Sequence, residues 1–257
     1  MSVDTPEQLL GLRRAGRVVA AALQTLKAAV APGVSTGQLD RIAAGFFASH
    51  GARSGPILTY GYPGSICISV DEQVVHGVPG ERVLEPGELV SLDVAAEVDG
   101  YHADAAVTVP VGVVDDRRRK LVDATRAALA AGISHAQPGA LLADVGAAIE
   151  RTTREHGFEV FRELTGHGIG RDMHEDPTVF NWAAPQATHV LEPGLVITIE
   201  PMIAAGGTRL MVERDGWTVR TVDRSPSAHE EHTIMVSDGA PVVLTAPTSE
   251  PAGKRGR

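Results

Sequence analysis

Apolar residues recur at Leu9, Leu12, Val19, Leu23 and Leu26 with mostly polar or small residues between them, and this spacing predicts a helix stopped by Pro32-Gly33. Its start is written as Thr5 for the N-cap, Pro6 for the first helical position and Gln8 for the capping box. A second run, from Thr36 to His50, places Leu39, Ile42, Phe46 and Phe47 on one helical face. Two more helices are predicted over about 116–136 and 141–156, the first opened by acids that suit a helix N-terminus.

Between the helices the pattern changes to short runs rich in β-branched residues. ICISV from Ile66, ELVSLDVAAEV from Glu88 and ADAAVTVPV from Ala103 read as strands, with Asp99-Gly100 marking a tight hairpin between the last two. The second half repeats the style. LVITIEPMI is followed by RLMVE and WTVRTV, joined through Asp215-Gly216, and then by EHTIMV and PVVLT on either side of Asp238-Gly239. Two helices, strands, two helices and strands again suggest a duplicated α+β unit, not an alternating βαβ chain. The pentapeptide VLEPG makes the duplication explicit, since it begins at Val83 and again at Val190. Each copy leads into an apolar strand with an acid at the sixth position after the glycine, Asp93 and Glu200.

Composition narrows the class. A chain of 257 residues, 43% hydrophobic and 21% charged, reads as an ordinary soluble globular protein, with residues 1–246 as one domain and 247–257 as a polar, Pro- and Gly-rich tail. The formal net charge of -9 argues against direct DNA binding. No apolar run is long enough to span a bilayer, so no membrane association is expected. The N-terminus has no secretory pattern and Cys67 is the only cysteine, so a reducing, cytoplasmic setting is the expectation.

Four acids then need an explanation. The hairpin at Asp99-Gly100 folds Asp104 back alongside Asp93, and two carboxylates on largely apolar strands repel each other and resist desolvation. For a lone pair of acids, exposure to solvent is the better reading. The second half shifts the balance, because LVITIE is too apolar to leave Glu200 an exposed face, and Glu231 opens another strand. GHGIGRDMHEDP adds His167 and His174 among three glycines, and HGVPG adds His76. Any of these histidines alone would more often be structural, but the set favours a metal site. Four carboxylates balance two divalent ions, and oxygen ligands with an imidazole fit Mn, Co, Fe, Ni or Zn. Such a pair of ions is suited to activating water for hydrolysis.

HGVPG, LDVAAEVDGYHADAAVT, GHGIGRDMHEDP, ITIEPM and EEHTIMV resemble, in order and spacing, the signature segments of the type I methionine aminopeptidases, the short bacterial form within peptidase family M24. The resemblance covers nearly the whole chain to about Leu244. It implies a pita-bread fold of two pseudo-symmetric halves around a dinuclear metal centre. It also implies Asp93, Asp104, His167, Glu200 and Glu231 as metal ligands, with Asp104 and Glu231 bridging. Glu200 would accept the proton of the attacking water, His174 would polarise the scissile carbonyl, and His76 would meet the substrate beyond its first residue. Tyr62, Cys67, Met173 and Trp217 would wall a small apolar pocket for the methionine side chain, although Tyr62 and Trp217 could equally be core aromatics. The implied substrate is the N-terminus of a nascent polypeptide.

Departures from the family pattern fall at Gly64, Asp71, Ser91 and Met173, none of them an implied ligand. They bear on the shape of the pocket and on any monovalent-ion site near Asp71. Aminopeptidase P and prolidase share the implied fold and ligands, but the stretch before His76 is too short for their extra domain. Glu200 and Glu231 are too close in the chain for the helical insert of the type II methionine enzymes. A non-catalytic ribosome- or RNA-binding relative would be expected to have lost a ligand, and all five are present. Arg209, Arg214, Arg220 and Arg224 could support a transient ribosome contact, but Glu213, Asp215 and Asp223 interrupt them and favour an ordinary mixed-charge surface. A monomer is expected.

Overall fold

The computed structural model describes residues 1–247, so the tail expected over 247–257 lies outside the described residues from 248 onward. The described residues form five helices: α1 (Pro6–Ala29), α2 (Thr36–His50), α3 (Gly55–Tyr60), α4 (Asp116–His135) and α5 (Leu142–Glu155). The start of α1 follows its sequence signal, with the Thr5 hydroxyl accepting the Gln8 N–H and the Gln8 side chain returning to the Thr5 N–H. Ser35 and Gln38 form the same box on α2. The α2 face differs from the expectation by one position. Thr36, Leu39, Ala43 and Phe47 are buried, whereas Ile42 is exposed and Phe46 half-buried, stacked on His50. Small Ala43 is fully buried on the inward stripe, and residue size alone does not reveal that.

Two sheets carry the two halves. In the first, Leu89–Val98 pairs with Arg53–Ser54, Cys67–Val70 and Tyr101–Pro110, all antiparallel. In the second, the order is Val242–Val243, His232–Met235, Val196–Ile199, Thr165–Gly168, Glu175–Phe180. Two three-stranded sheets connect them. One joins Ser227–His229, Met202–Ala204 and Glu159–Val160; the other joins Leu210–Val212, Val219–Thr221 and Gln73–Val75. One apolar core lies where α1 and α2 cover the first sheet, a second where α4 and α5 cover the other, and each helix pair buries the face that its sheet presents. This is the pita-bread architecture.

The repeated VLEPG segments do the same job in each half. Val83 bridges Ser35 just before α2, and Val190 bridges Leu141 just before α5. Gly33 N–H reaches Leu84 O at 2.9 Å, and Gly139 N–H reaches Leu191 O at 2.8 Å. Gly87 and Gly194 turn the chain into their strands with φ of 96° and 92°, a region that side chains disfavour. Their N–H groups bond Val111 O and Val236 O, each at 2.8 Å, at the ends of the partner strands. A Cβ on Gly87 would meet nothing nearer than 3.9 Å, whereas one on Gly194 would lie 2.9 Å from Val3 O. Gly87→Ala should therefore cost about 1–2 kcal/mol of unfolding free energy for the dihedral alone, and Gly194→Ala clearly more. Urea denaturation of both variants checks this, and equal losses would show that the Val3 contact yields freely.

Candidate metal centre and active site

Each half delivers one acid from its VLEPG strand and one from the partner strand. In the first sheet Ala95 lies opposite Asp104, so Asp93 and Asp104 share a face on neighbouring strands. In the second, Ile199 pairs with His232, which places Glu200 and Glu231 just beyond the last paired residues. Pro201 follows at once, and the chain leaves that sheet there to resume as Met202–Ala204 in another. The two halves are joined at the acids themselves. The Thr233 hydroxyl accepts the Asp104 N–H at 2.9 Å and donates to the Asp104 carbonyl at 2.7 Å, while Glu231 N–H bonds Ala106 O at 2.9 Å.

His167 enters from the strand Thr165–Gly168. A Cβ on Gly168 would lie 2.1 Å from Asp176 O, so only glycine allows the two strands to meet this closely. The His167 Nδ1–H donates to Gly168 O at 2.8 Å, which leaves Nε2 with a free lone pair 3.5 Å from Glu200 Oε1. Thr198 ties the two together, accepting the His167 N–H at 3.0 Å and donating its hydroxyl to Glu200 Oε1 at 2.7 Å.

All the residues proposed for the site from sequence line one cavity of about 430 Å³: Tyr62, Cys67, His76, Asp93, Asp104, His167, Met173, His174, Glu200, Trp217 and Glu231. Burial pushes the carboxyls of Asp93, Asp104, Glu200 and Glu231 upward. Mutual repulsion adds to this for Asp104, Glu200 and Glu231. Asp104 Oδ1 and Glu231 Oε1 are buried without any hydrogen-bond partner among the described residues. Acceptors packed this closely, with no donor to answer them, fit divalent cations better than any neutral arrangement. Oxygen and nitrogen ligand atoms of Asp104, His167 and Glu231 lie within 4.8 Å of one another, a second such set is Glu200, His229 and Glu231, and the described residues therefore suit a metal.

Burial also lowers the affinity of the histidines for protons. His167 falls to about 3 through burial and the nearby His174, and His76 and His174 fall for the same first reason, so all three are neutral imidazoles at neutral pH. The His174 ring stands 4.0 Å from that of His167, and its Nδ1 hydrogen-bonds the Tyr60 hydroxyl at 2.7 Å. His76 sits at φ 56°, a strained setting for a residue with a side chain, at the cavity wall. Tyr62 is buried, donates its hydroxyl to Gly77 O at 2.7 Å and meets Trp217 edge-on at 5.2 Å, so it serves packing and the pocket wall together.

The departures are accommodated by the chain itself. Asp71 accepts the Leu89 N–H at 3.0 Å and pairs with Arg118 at 2.9 Å, which answers its charge without an added ion. Ser91 bonds the Thr108 hydroxyl at 2.9 Å, and a Cβ on Gly64 would lie 2.7 Å from Pro79. Of the four arginines weighed for ribosome contact, Arg220 pairs with Glu213 at 3.3 Å and Arg224 with Glu72 at 2.9 Å.

Sequence reasoning missed three contributors. Tyr60 comes from α3, whose signal was present as Ser54 capping Ile57 with Pro56 in the first turn. Thr198 gave no signal, because its role depends on which strand lies beside it. His229, two residues before Glu231, was legible only as one more histidine in a charged run.

Two pseudo-symmetric halves that converge four acids and an imidazole on one cavity define a metal-dependent hydrolase. The model of the metallopeptidase family M24 matches residues 11–238, and the chain belongs to that family. It is 42% identical over 241 residues to methionine aminopeptidase 1 of Bacillus subtilis, covering 94% of this chain and 97% of that one. It superposes on the crystal structure of methionine aminopeptidase from Rickettsia prowazekii with a TM-score of 0.92 at 36% identity, over 96% and 100% of the two chains. Prolidase from Pyrococcus furiosus shares the fold at a TM-score of 0.77 and 19% identity, but this chain spans only 66% of it. Among the described residues no helix is long and apolar enough to cross a membrane.

Proposed function

We propose that residues 1–246 form one catalytic domain that removes the initiator methionine from nascent polypeptides by metal-dependent hydrolysis. The carrying observation is that buried carboxylates with unanswered oxygens line the same cavity as Tyr62, Cys67, Met173 and Trp217. Asp93, Asp104, His167, Glu200 and Glu231 would hold two divalent ions, drawn from Co, Mn, Fe, Ni or Zn. Bound there, the ions supply Lewis acidity toward the carbonyl and a lowered pKa for water.

The protein's own groups do the rest. Glu200 takes the proton of the attacking water, and its orientation is held by the Thr198 hydroxyl at 2.7 Å. In the tautomer with its proton on Nε2, neutral His174 accepts the Tyr60 O–H at Nδ1 and can donate from Nε2 to the carbonyl oxygen as negative charge develops. His76 meets the peptide beyond the first residue and assists proton movement. The soft, aromatic wall accepts a straight thioether side chain. The setting consistent with this role is the cytoplasm, with the protein acting as a monomer and a ribosome contact at most transient.

Protein reconstituted with cobalt or manganese should release methionine from a Met-Ala-Ser peptide and leave an Xaa-Pro peptide intact. Chromatography of the two digests decides the matter, and the reverse pattern would move the protein to the prolidase branch.

A further inference from the structure

The ring of His229 is the one member of the second ligand set that the reading above leaves without a role. It is 2% exposed, and neither ring nitrogen has a hydrogen-bond partner among the described residues. Its Nε2 lies 3.7 Å from Glu231 Oε2 and 3.9 Å from Glu200 Oε2. Those separations are too long for hydrogen bonds, yet they are close to the edge of a coordination polyhedron. Two ligand atoms bonded to one ion at about 2.0–2.2 Å stand roughly 3–3.6 Å apart, so a closure of a few tenths of an ångström would complete the set.

The backbone is anchored for such a task. His229 N–H donates to the Thr108 hydroxyl, which in turn donates to His229 O, both at 2.8 Å, and Met202 pairs with His229 across the sheet. This clamp ties the residue to the strand that also carries Asp104. A purely structural buried histidine would be expected to satisfy at least one nitrogen within the protein. Here the unsatisfied Nε2 faces two carboxylates that themselves need a cation.

We propose that His229 is a sixth protein ligand of the metal centre, giving Nε2 to the ion held by Glu200 and Glu231. The proposal rests on the metallopeptidase reading. A second neutral imidazole adds nitrogen to an oxygen-rich set, which favours Co, Ni and Zn over Mn. The site would therefore bind the first three more tightly than its carboxylates alone allow.

Cobalt(II) is the probe. In the full chain labelled with ¹⁵N-histidine and loaded with cobalt, two rings, His167 and His229, should show large through-bond paramagnetic shifts, which only ligated imidazoles display. In His229→Gln one of those signal sets should vanish, and calorimetry should give about tenfold or more weaker cobalt binding with a smaller loss for manganese. His229→Ala should behave likewise. A single shifted ring in the unaltered protein, with His229→Gln binding cobalt as tightly, overturns the proposal and leaves the metal centre standing. Failure of the unaltered protein to bind cobalt at all overturns both. The spectrum of the unaltered protein decides even if the variants do not fold.

Discussion

Glu200→Gln should lower kcat roughly 100- to 10,000-fold while the fold persists, the range over which a positioned general base typically contributes. In barrier terms this is about 3–5 kcal/mol. Glutamine has nearly the shape of glutamate, and its carbonyl oxygen can still accept the Thr198 hydroxyl that now bonds Glu200 at 2.7 Å. The link through Thr198 to the His167 N–H at 3.0 Å should survive as well. What is lost is the basic lone pair, and with it a place for the proton of the attacking water. Burial holds the Glu200 carboxyl high in the bare protein, to about 8, and a nearby cation is what would keep it ionised and competent. Single-turnover rates and circular dichroism on the same sample check both halves of the expectation. A variant that turns over at close to the normal rate would remove Glu200 from the role of base.

How far such a site could be read in advance depended on how local each signal was. The helices followed their caps, as in α1, where Thr5, Pro6 and Gln8 are consecutive enough to act before any tertiary contact forms. The hairpin through Asp99-Gly100 was equally local, and its ten-residue strands place Asp93 and Asp104 on one face by register alone. Strands Thr165–Gly168 and Glu175–Phe180 escaped notice because glycines and polar residues dominate them and their pairing is decided by the distant Val196–Ile199. His229 escaped for a related reason. Its significance comes from Thr108 and Glu200, which reach it from other strands, and no neighbour in sequence hints at either contact. Recurrence of VLEPG was the exception among long-range features. It could be read because each copy makes the same contacts within its own half, so the duplication preserved a local rule.

Removing the metals should reverse the pH dependence of stability as well as abolish hydrolysis. In the bare protein the four carboxyls are raised by burial, Asp93 to about 6 and Glu200 to about 8, against unfolded values near 4. Below about pH 6.5 the buried, lowered histidines oppose the effect of these acids, because their unfolded forms hold the extra protons. Above it the folded form holds more protons than the unfolded chain, so stability falls as pH rises from about 6.5 through about 8. Bound cations keep the carboxylates ionised, and that falling slope should disappear. Protons compete less for the ligands at higher pH, so the metal's own contribution should grow across the same window. With free metal at about 100–1,000 times its Kd, the stabilisation is about 3–4 kcal/mol. For a chain of this size that is a rise in Tm on the order of 10 °C. Calorimetric scans with EDTA or with cobalt at pH 5, 6, 7 and 8 measure this directly. Glu231→Gln supplies the contrast: deleting one buried charge should flatten the metal-free slope and shrink the response to cobalt, leaving a protein no less stable when bare yet nearly inert. If EDTA alters neither Tm nor its trend with pH, the acids that the two VLEPG strands and their partners bring together do not act as a metal site.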